Sequence, residues 1–152
     1  MRFLGNIEAK TDAKGRVFFP AQFRKILQSC GEERLIMRGD VYQACLSIYP
    51  ESVWNKQMDI MRKKLNRWDG RQQMIFRQFV TNVELLTIDG NGRFLIPGRY
   101  RKLAKIEANV SFVGLGDMIE IWNPADLANS MLSKEEFSNE LGALMADYVE
   151  EE

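Results

Sequence analysis

The chain has 152 residues, 45% of them hydrophobic, with 21 Lys and Arg balancing 21 Asp and Glu, and it contains no histidine. That length suits one domain or two small units sharing a core, because a unit of about 60 residues alone buries too little surface to be secure. Without histidine the usual general base, the commonest metal ligand and the neutral-pH switch are gone, which excludes His-based hydrolytic triads.

In chain order, Phe3-Leu4-Gly5-Asn6-Ile7-Glu8-Ala9-Lys10 reads as a strand running into a tight turn over Asp12 to Arg16. Gly15 suits the positive φ such a turn needs, and the Asp12 side chain can accept hydrogen bonds from the turn it begins. Val17-Phe18-Phe19 is a short β-prone run that Pro20 ends, and a helix follows with Phe23, Ile26 and Leu27 on its apolar stripe. Leu35-Ile36-Met37 and Cys45-Leu46-Ser47-Ile48-Tyr49 form a predicted hairpin around Gly39-Asp40.

A helical insert comes next. Val53, Trp54, Met58, Met61, Leu65 and Trp68 have helical spacing, Gly70 is expected to break the run, and Met74, Ile75, Phe79 and Val80 resume it. This Met and Trp stripe is expected in a core or a subunit contact. Arg62, Lys63, Lys64, Arg67, Arg71 and Arg77 form a basic side that reads as a solvated helix face or as a widened nucleic-acid surface.

The chain then repeats itself. Asp12-Ala13-Lys14-Gly15-Arg16-Val17-Phe18-Phe19-Pro20 returns as Asp89-Gly90-Asn91-Gly92-Arg93-Phe94-Leu95-Ile96-Pro97, and Gly39-Asp40 returns as Gly116-Asp117, both in a 77-residue register. The second copy predicts a strand at 83–88, a turn at 89–93, a strand at 94–96, a helix through Tyr100 and Leu103, and a hairpin of 110–113 with 118–122. After Pro124, Ser133-Lys134-Glu135-Glu136 is a capping-box start, and Phe137, Leu141, Leu144, Met145 and Tyr148 line one side of a terminal helix. Glu150-Glu151-Glu152 is expected to fray. The divisions are a first half at 1–50, an insert at 51–82, a second half at 83–125, and a terminal helix with an acidic tail at 126–152. Two homologous halves with a mainly β core give an α+β class.

Charge is balanced overall but not along the chain: residues 1–105 carry 20 basic against 10 acidic residues, and residues 106–152 carry 1 against 11. A basic face for a polyanion and an acidic segment held away from it would account for this, as would a tail that only solubilises its helix. Cys30 and Cys45 lack metal-site spacing and are expected to be reduced thiols. No Gly-rich phosphate loop or nucleophile elbow accompanies the remaining nucleophiles, so no enzyme and no cofactor are expected. No apolar run approaches the roughly 20 residues of a membrane span and no signal-peptide region opens the chain, so a cytoplasmic location is expected.

The repeated turn carries the functional signal. It lifts Lys14 and Arg16 from a β-layer in the first copy, and Asn91 and Arg93 in the second. Arg offers a planar fork for phosphate or a guanine edge, Asn matches adenine, and Lys adds a mobile charge. Against this, Arg16 and Arg93 could simply pair with Asp12 and Asp89 to hold the turn. Arg24 and Arg101, each with a following Lys, sit one helix later, beside the turn or in a structural role.

Asp-x-Lys-Gly-Arg-Val-x-x-Pro-x-x-x-Arg at 12–24, its echo at 89–101 and the start Met1-Arg2-Phe3-Leu4-Gly5 together resemble the MraZ family of bacterial transcriptional regulators, over essentially the whole chain. The resemblance implies two AbrB-like swapped-hairpin (SpoVT-AbrB) units in a pseudo-two-fold, double-psi-like barrel. It also implies a ring-shaped homo-oligomer at the nucleoid, bound to direct repeats in promoter DNA. There the family represses the division and cell-wall gene cluster, its own operon included. Carried onto this sequence, the DNA-contacting motif positions are Lys14, Arg16 and Arg93, with Asn91 standing where the first copy has Lys14. The competing reading is an oligomeric, antitoxin-like interaction module that captures a protein through 126–152.

Overall fold

The computed structural model describes residues 1–148, and the expectation for Glu150–Glu152 lies outside them. Among the described residues eight strands form two antiparallel sheets, one of six strands and one of two. The strands are β1 (Phe3–Lys10), β2 (Arg16–Phe18), β3 (Leu35–Gly39), β4 (Leu46–Pro50), β5 (Val83–Leu86), β6 (Arg93–Leu95), β7 (Asn109–Gly116) and β8 (Ile119–Trp122). The helices are α1 (Ala21–Ser29), α2 (Glu51–Lys64), α3 (Gly70–Thr81), α4 (Gly98–Leu103), α5 (Pro124–Ser130) and α6 (Lys134–Met145).

The repeat dictates the topology. The large sheet runs β1-β7-β8-β4-β3-β5, an order that reads the same when the two halves are exchanged. The first strand of each half leaves its own hairpin and pairs with the other's, β1 with β7 and β5 with β3. In the small sheet Val17 stands opposite Phe94, its own counterpart in the 77-residue register, so the pseudo-two-fold passes through that pair. β4 and β8 meet in the same way, with Ser47 opposite Glu120.

Period-two alternation explains why β3 and β4 are buried on both faces. Leu35, Met37, Leu46 and Ile48 point into the main core, with Phe19, Phe94 and Phe112. Ile36 and Tyr49 point the other way, onto Val53 and Trp54 of α2, with Phe79 of α3 packed against that cluster. The insert is thus the cover for the outer face of the first half. In the second half the short α5 serves instead, Leu127 packing on Trp122 and Cys45. Aromatic rings fill the centre: Phe19 meets Phe23, Phe94 and Phe112 edge to face at 6.5, 5.9 and 6.2 Å.

Several expectations are corrected. The sheets do not close into a double-psi-like barrel: β1 and β5 remain edges of the large sheet, because β2 and β6 are only three residues long and spend their pairing on each other. Gly70 opens α3 rather than breaking a helix; the chain becomes extended at Leu65, and Asp69 caps α3 by accepting from the backbone N–H groups of Arg71 and Gln72. Trp68 falls in that break and is 95% exposed, off the apolar stripe. The strand expected at 83–88 ends at Leu86. The segment read as one terminal helix holds two, because Asn123 caps α5 with Pro124 in its first turn. Ser133 caps α6 as its capping box predicts, accepting from Glu136 N–H at 3.1 Å. No described helix is long and apolar enough to cross a membrane.

Candidate nucleic-acid interface

Both turns are built by their aspartates. Asp12 Oδ1 accepts from the backbone N–H of Lys14 and of Arg16, each at 2.9 Å. Asp89 Oδ1 accepts likewise from Asn91 at 2.8 Å and Arg93 at 2.9 Å. The backbone closes the loop, Gly15 N–H donating to Asp12 O and Gly92 N–H to Asp89 O, both at 3.0 Å. Gly15 and Gly92 lie at φ +86° and +82°, where a side chain would be strained. These bonds to the ionised form, led by the Arg16 and Arg93 amides, hold the Asp12 and Asp89 carboxyls below the ordinary carboxylate value.

The guanidinium groups face the same carboxylates. Arg16 Nε donates to Asp12 Oδ2 at 2.7 Å. Arg93 Nε is 3.5 Å from Asp89 Oδ2 but out of hydrogen-bonding alignment, so that contact is an ion pair only. The turn-holding role is therefore real, and it leaves the fork's far side open. Among the described residues neither terminal nitrogen of Arg16 has a hydrogen-bond partner. Lys14 and Asn91 are exposed at the turn tips.

The two turns form one surface. Phe19 N–H donates to Gly92 O at 2.8 Å and Ile96 N–H to Gly15 O at 3.0 Å, so each turn is tied to the strand of the other copy. Alternation along β2 and β6 buries Val17 and Phe94 and turns Arg16, Phe18, Arg93 and Leu95 outward. Arg16 pairs with Leu95 and Phe18 with Arg93, whose guanidinium carbon lies 6.0 Å from the Phe18 ring centre. Phe18 and Leu95 are 59% and 52% exposed, an apolar contribution that the sequence motif did not single out.

Arg24 and Arg101 lie beside the turns, but not beside their own. A Cβ at Gly15 would come within 2.6 Å of Arg101 Cζ, and one at Gly92 would overlap the Arg24 guanidinium. The antiparallel pairing of β2 with β6 brings the helix after each strand over the opposite turn. The following Lys25 and Lys102 are exposed. The insert, by contrast, packs its α2 and α3 on the face of β3 and β4 that points away from the core shared with β2 and β6.

One other polar cluster stands between the halves. Asp40 and Glu120 carboxylate oxygens and Cys45 Sγ lie within 4.8 Å of one another. Burial, then the Glu120 and Asp40 charges, push the Cys45 thiol far up, and it donates to Glu120 at 3.7 Å. Ser47 Oγ donates to Asp40 and Trp122 Nε1 to Glu120, so the cluster is a hydrogen-bonded link across β4 and β8 around a protonated thiol.

Comparison with known proteins accords with the doubled turn. The model of the family described as "MraZ protein, putative antitoxin-like" matches residues 2–77 and 79–141. A protein of Phocaeicola vulgatus named "Transcriptional regulator MraZ" is 61% identical over 145 residues, covering 95% of this chain and 94% of its own length. One of the same name from Bacteroides thetaiotaomicron is 52% identical over 147 residues, covering 97% and 94%. A more distant one from Nitrosococcus oceani is 31% identical over 150 residues, covering 93% and 98%. With two matching turns, an exchanged-strand sheet and relatives spanning nearly its full length, the chain belongs to the MraZ family.

Proposed function

We propose that this protein is a sequence-specific DNA-binding transcriptional repressor with no catalytic step. The observation that carries the proposal is the pairing of β2 with β6, which sets the two Asp-built turns at the two ends of one short ribbon and turns Arg16, Arg93 and their neighbours outward on it. A two-stranded ribbon fits a major groove, and arginine forks at its ends can reach phosphates or guanine edges. The relatives' name, "Transcriptional regulator MraZ", supports the same reading.

In this proposal 1–50 and 83–125 act as two SpoVT-AbrB-like swapped-hairpin halves around the pseudo-two-fold. Lys14, Arg16, Asn91 and Arg93 contact DNA, while Arg24 and Arg101 support them. Copies of the chain assemble into a ring that engages several direct repeats, so that weak contacts per subunit sum through effective concentration. The DNA is the promoter of the division and cell-wall gene cluster, the protein's own operon included, which places the protein in the cytoplasm at the nucleoid.

A second reading, an oligomeric antitoxin-like module holding a protein partner, draws on the apolar side of α6, where Phe137, Leu141, Leu144 and Met145 are all exposed within the chain. One titration separates the two. Fluorescence anisotropy against DNA with several direct repeats from the gene's own upstream region, with a shuffled control, is run at two salt concentrations. Tight binding that prefers the repeats and weakens steeply with salt is expected of the repressor. Equal weak binding to both DNAs, or none, transfers the assignment to the interaction module.

A further inference from the structure

The sequence places Arg24 and Arg101 one helix after the turn of their own repeat. The fold places them elsewhere. Because β2 and β6 pair antiparallel, each strand ends at the turn that opens the other, so α4 of the second half carries Arg101 onto Gly15, and α1 of the first half carries Arg24 onto Gly92. In each case the guanidinium occupies the space that only a glycine leaves open.

We infer that each DNA-facing turn is a composite of both repeats: Arg101 completes the 12–16 turn and Arg24 completes the 89–93 turn, each as a positioning residue that also supplies cationic charge to a phosphate at that turn. The inference rests on the reading that the turns face DNA. Two independent observations carry it. The first is the crossed packing on Gly15 and Gly92, reinforced by the crossed backbone bonds from Ile96 N–H to Gly15 O and from Phe19 N–H to Gly92 O. The second is polar accounting. Arg24 Nε and Arg101 Nε are buried with no hydrogen-bond partner among the described residues, and Arg93 Nε, also buried, has its carboxylate only at 3.5 Å. Buried donors in folded proteins are paired with few exceptions. Two unpaired cationic donors, and a third held only by an ion pair, at the turns on the two ends of one ribbon form a surface short of negative charge, and a phosphodiester is the anion the rest of the interface accommodates.

The composite has a consequence for the asymmetry between the copies. Turn 12–16 combines Lys14 and Arg16 with Arg101, and turn 89–93 combines Asn91 and Arg93 with Arg24. Each turn therefore holds two arginines even though the second lacks the lysine. Neither repeat can form its own site alone.

Hydrogen exchange read by mass spectrometry on the intact oligomer tests the crossing without DNA. In Arg101→Gln, exchange should rise in the peptide spanning 12–18 and stay unchanged in the one spanning 89–95; in Arg24→Gln the pattern should invert. A rise confined to the turn of the variant's own repeat, or in neither turn, overturns the inference. If a Gln variant instead exchanges faster throughout β1 and β7, it is unfolding, and Arg24→Lys and Arg101→Lys, which keep the charge on a flexible stem, are read by the same criterion. Anisotropy supplies the second arm. Each Gln variant should lose roughly tenfold in DNA affinity with a shallower salt dependence, and each Lys variant should recover part of that affinity. Crossed exchange with unaltered DNA affinity overturns the phosphate role. Wild-type protein that binds no DNA sinks the functional reading, while a crossed exchange pattern would still establish the packing.

Discussion

Arg16 Nε lies 2.7 Å from Asp12 Oδ2, and the same carboxylate accepts the Arg16 backbone amide through its other oxygen. The side chain is thereby aimed by the turn it belongs to, with the outer edge of its guanidinium left for a second anion. Exposed ion pairs contribute only about 0–1 kcal/mol, so the pair is better explained as orientation than as stability.

That geometry separates two roles by mutation. Arg16→Ala and Arg93→Ala should each weaken DNA binding by roughly tenfold or more while leaving the assembly intact, since both side chains sit on the outer face of the β2–β6 ribbon. Asp12→Asn should cost less, because an amide oxygen can still accept the turn amides and Arg16 keeps its charge. The check is anisotropy with size-exclusion chromatography on all three. Wild-type affinity in both arginine variants and in their double variant would overturn the assigned roles.

The turns should also carry a pH signature. Both carboxyls are held below their ordinary value of 3.8 in the folded chain, chiefly by the amides they accept. A depressed folded value means that the contribution to stability is fully present above the unfolded value and is lost as pH falls through the folded one. Acid titration of the wild type should show this loss below about pH 4, and Asp12→Asn with Asp89→Asn should show a flatter acid limb. Chemical denaturation at a series of pH values measures it. Identical limbs in wild type and the double variant would mean that the aspartates gain nothing on folding.

Which of these features the sequence exposed depends on how local they are. The turns were legible, because Asp12, Gly15 and Pro20 each act within a few residues and reappear in register at Asp89, Gly92 and Pro97. The cap at Ser133 was legible for the same reason. Asn123-Pro124 is an equally local signal for α5, outside the apolar pattern that marks α6. The arginine crossing was not legible, since it follows from the pairing of β2 with β6, in which Phe18 finds Arg93 from 75 residues away. Nor was Arg38, which alternation places beside Ile36 in an otherwise apolar strand. It is buried there against Phe79, 4.3 Å from that ring's centre, and donates to Phe79 O at 3.1 Å as well as to Gly39 O at 3.2 Å, so its long-range partner comes from the insert.

Phe19 is the point where the two halves share one core. It follows β2 directly, yet two of its three edge-to-face partners, Phe94 and Phe112, belong to the second half. Phe19→Ala should destabilise the fold by about 3–5 kcal/mol, the cost of a cavity where neighbours cannot collapse. Urea unfolding followed by fluorescence and by circular dichroism should give a single transition moved to lower denaturant. Two separated transitions would show that the halves unfold independently and would contradict the shared core.

The remaining prediction concerns the side of α6 that the chain leaves uncovered. Phe137 and Leu144 are 56% and 79% exposed, while the capping by Ser133 and the acidic first turn of Glu135 and Glu136 show a helix whose start is fully specified. An apolar helix side exposed to this extent gains free energy when covered, at about 25 cal/mol per Å² of area removed from water, and the proposed ring offers the cover. Phe137→Glu with Leu144→Glu should therefore lower the mass of the assembly measured by light scattering, with helix content preserved. DNA affinity should fall with it, although neither residue is near the turns, because fewer linked subunits engage the repeats. An assembly of unchanged mass would mean that α6 lies outside the subunit contact and would return its apolar side to the partner-capture reading.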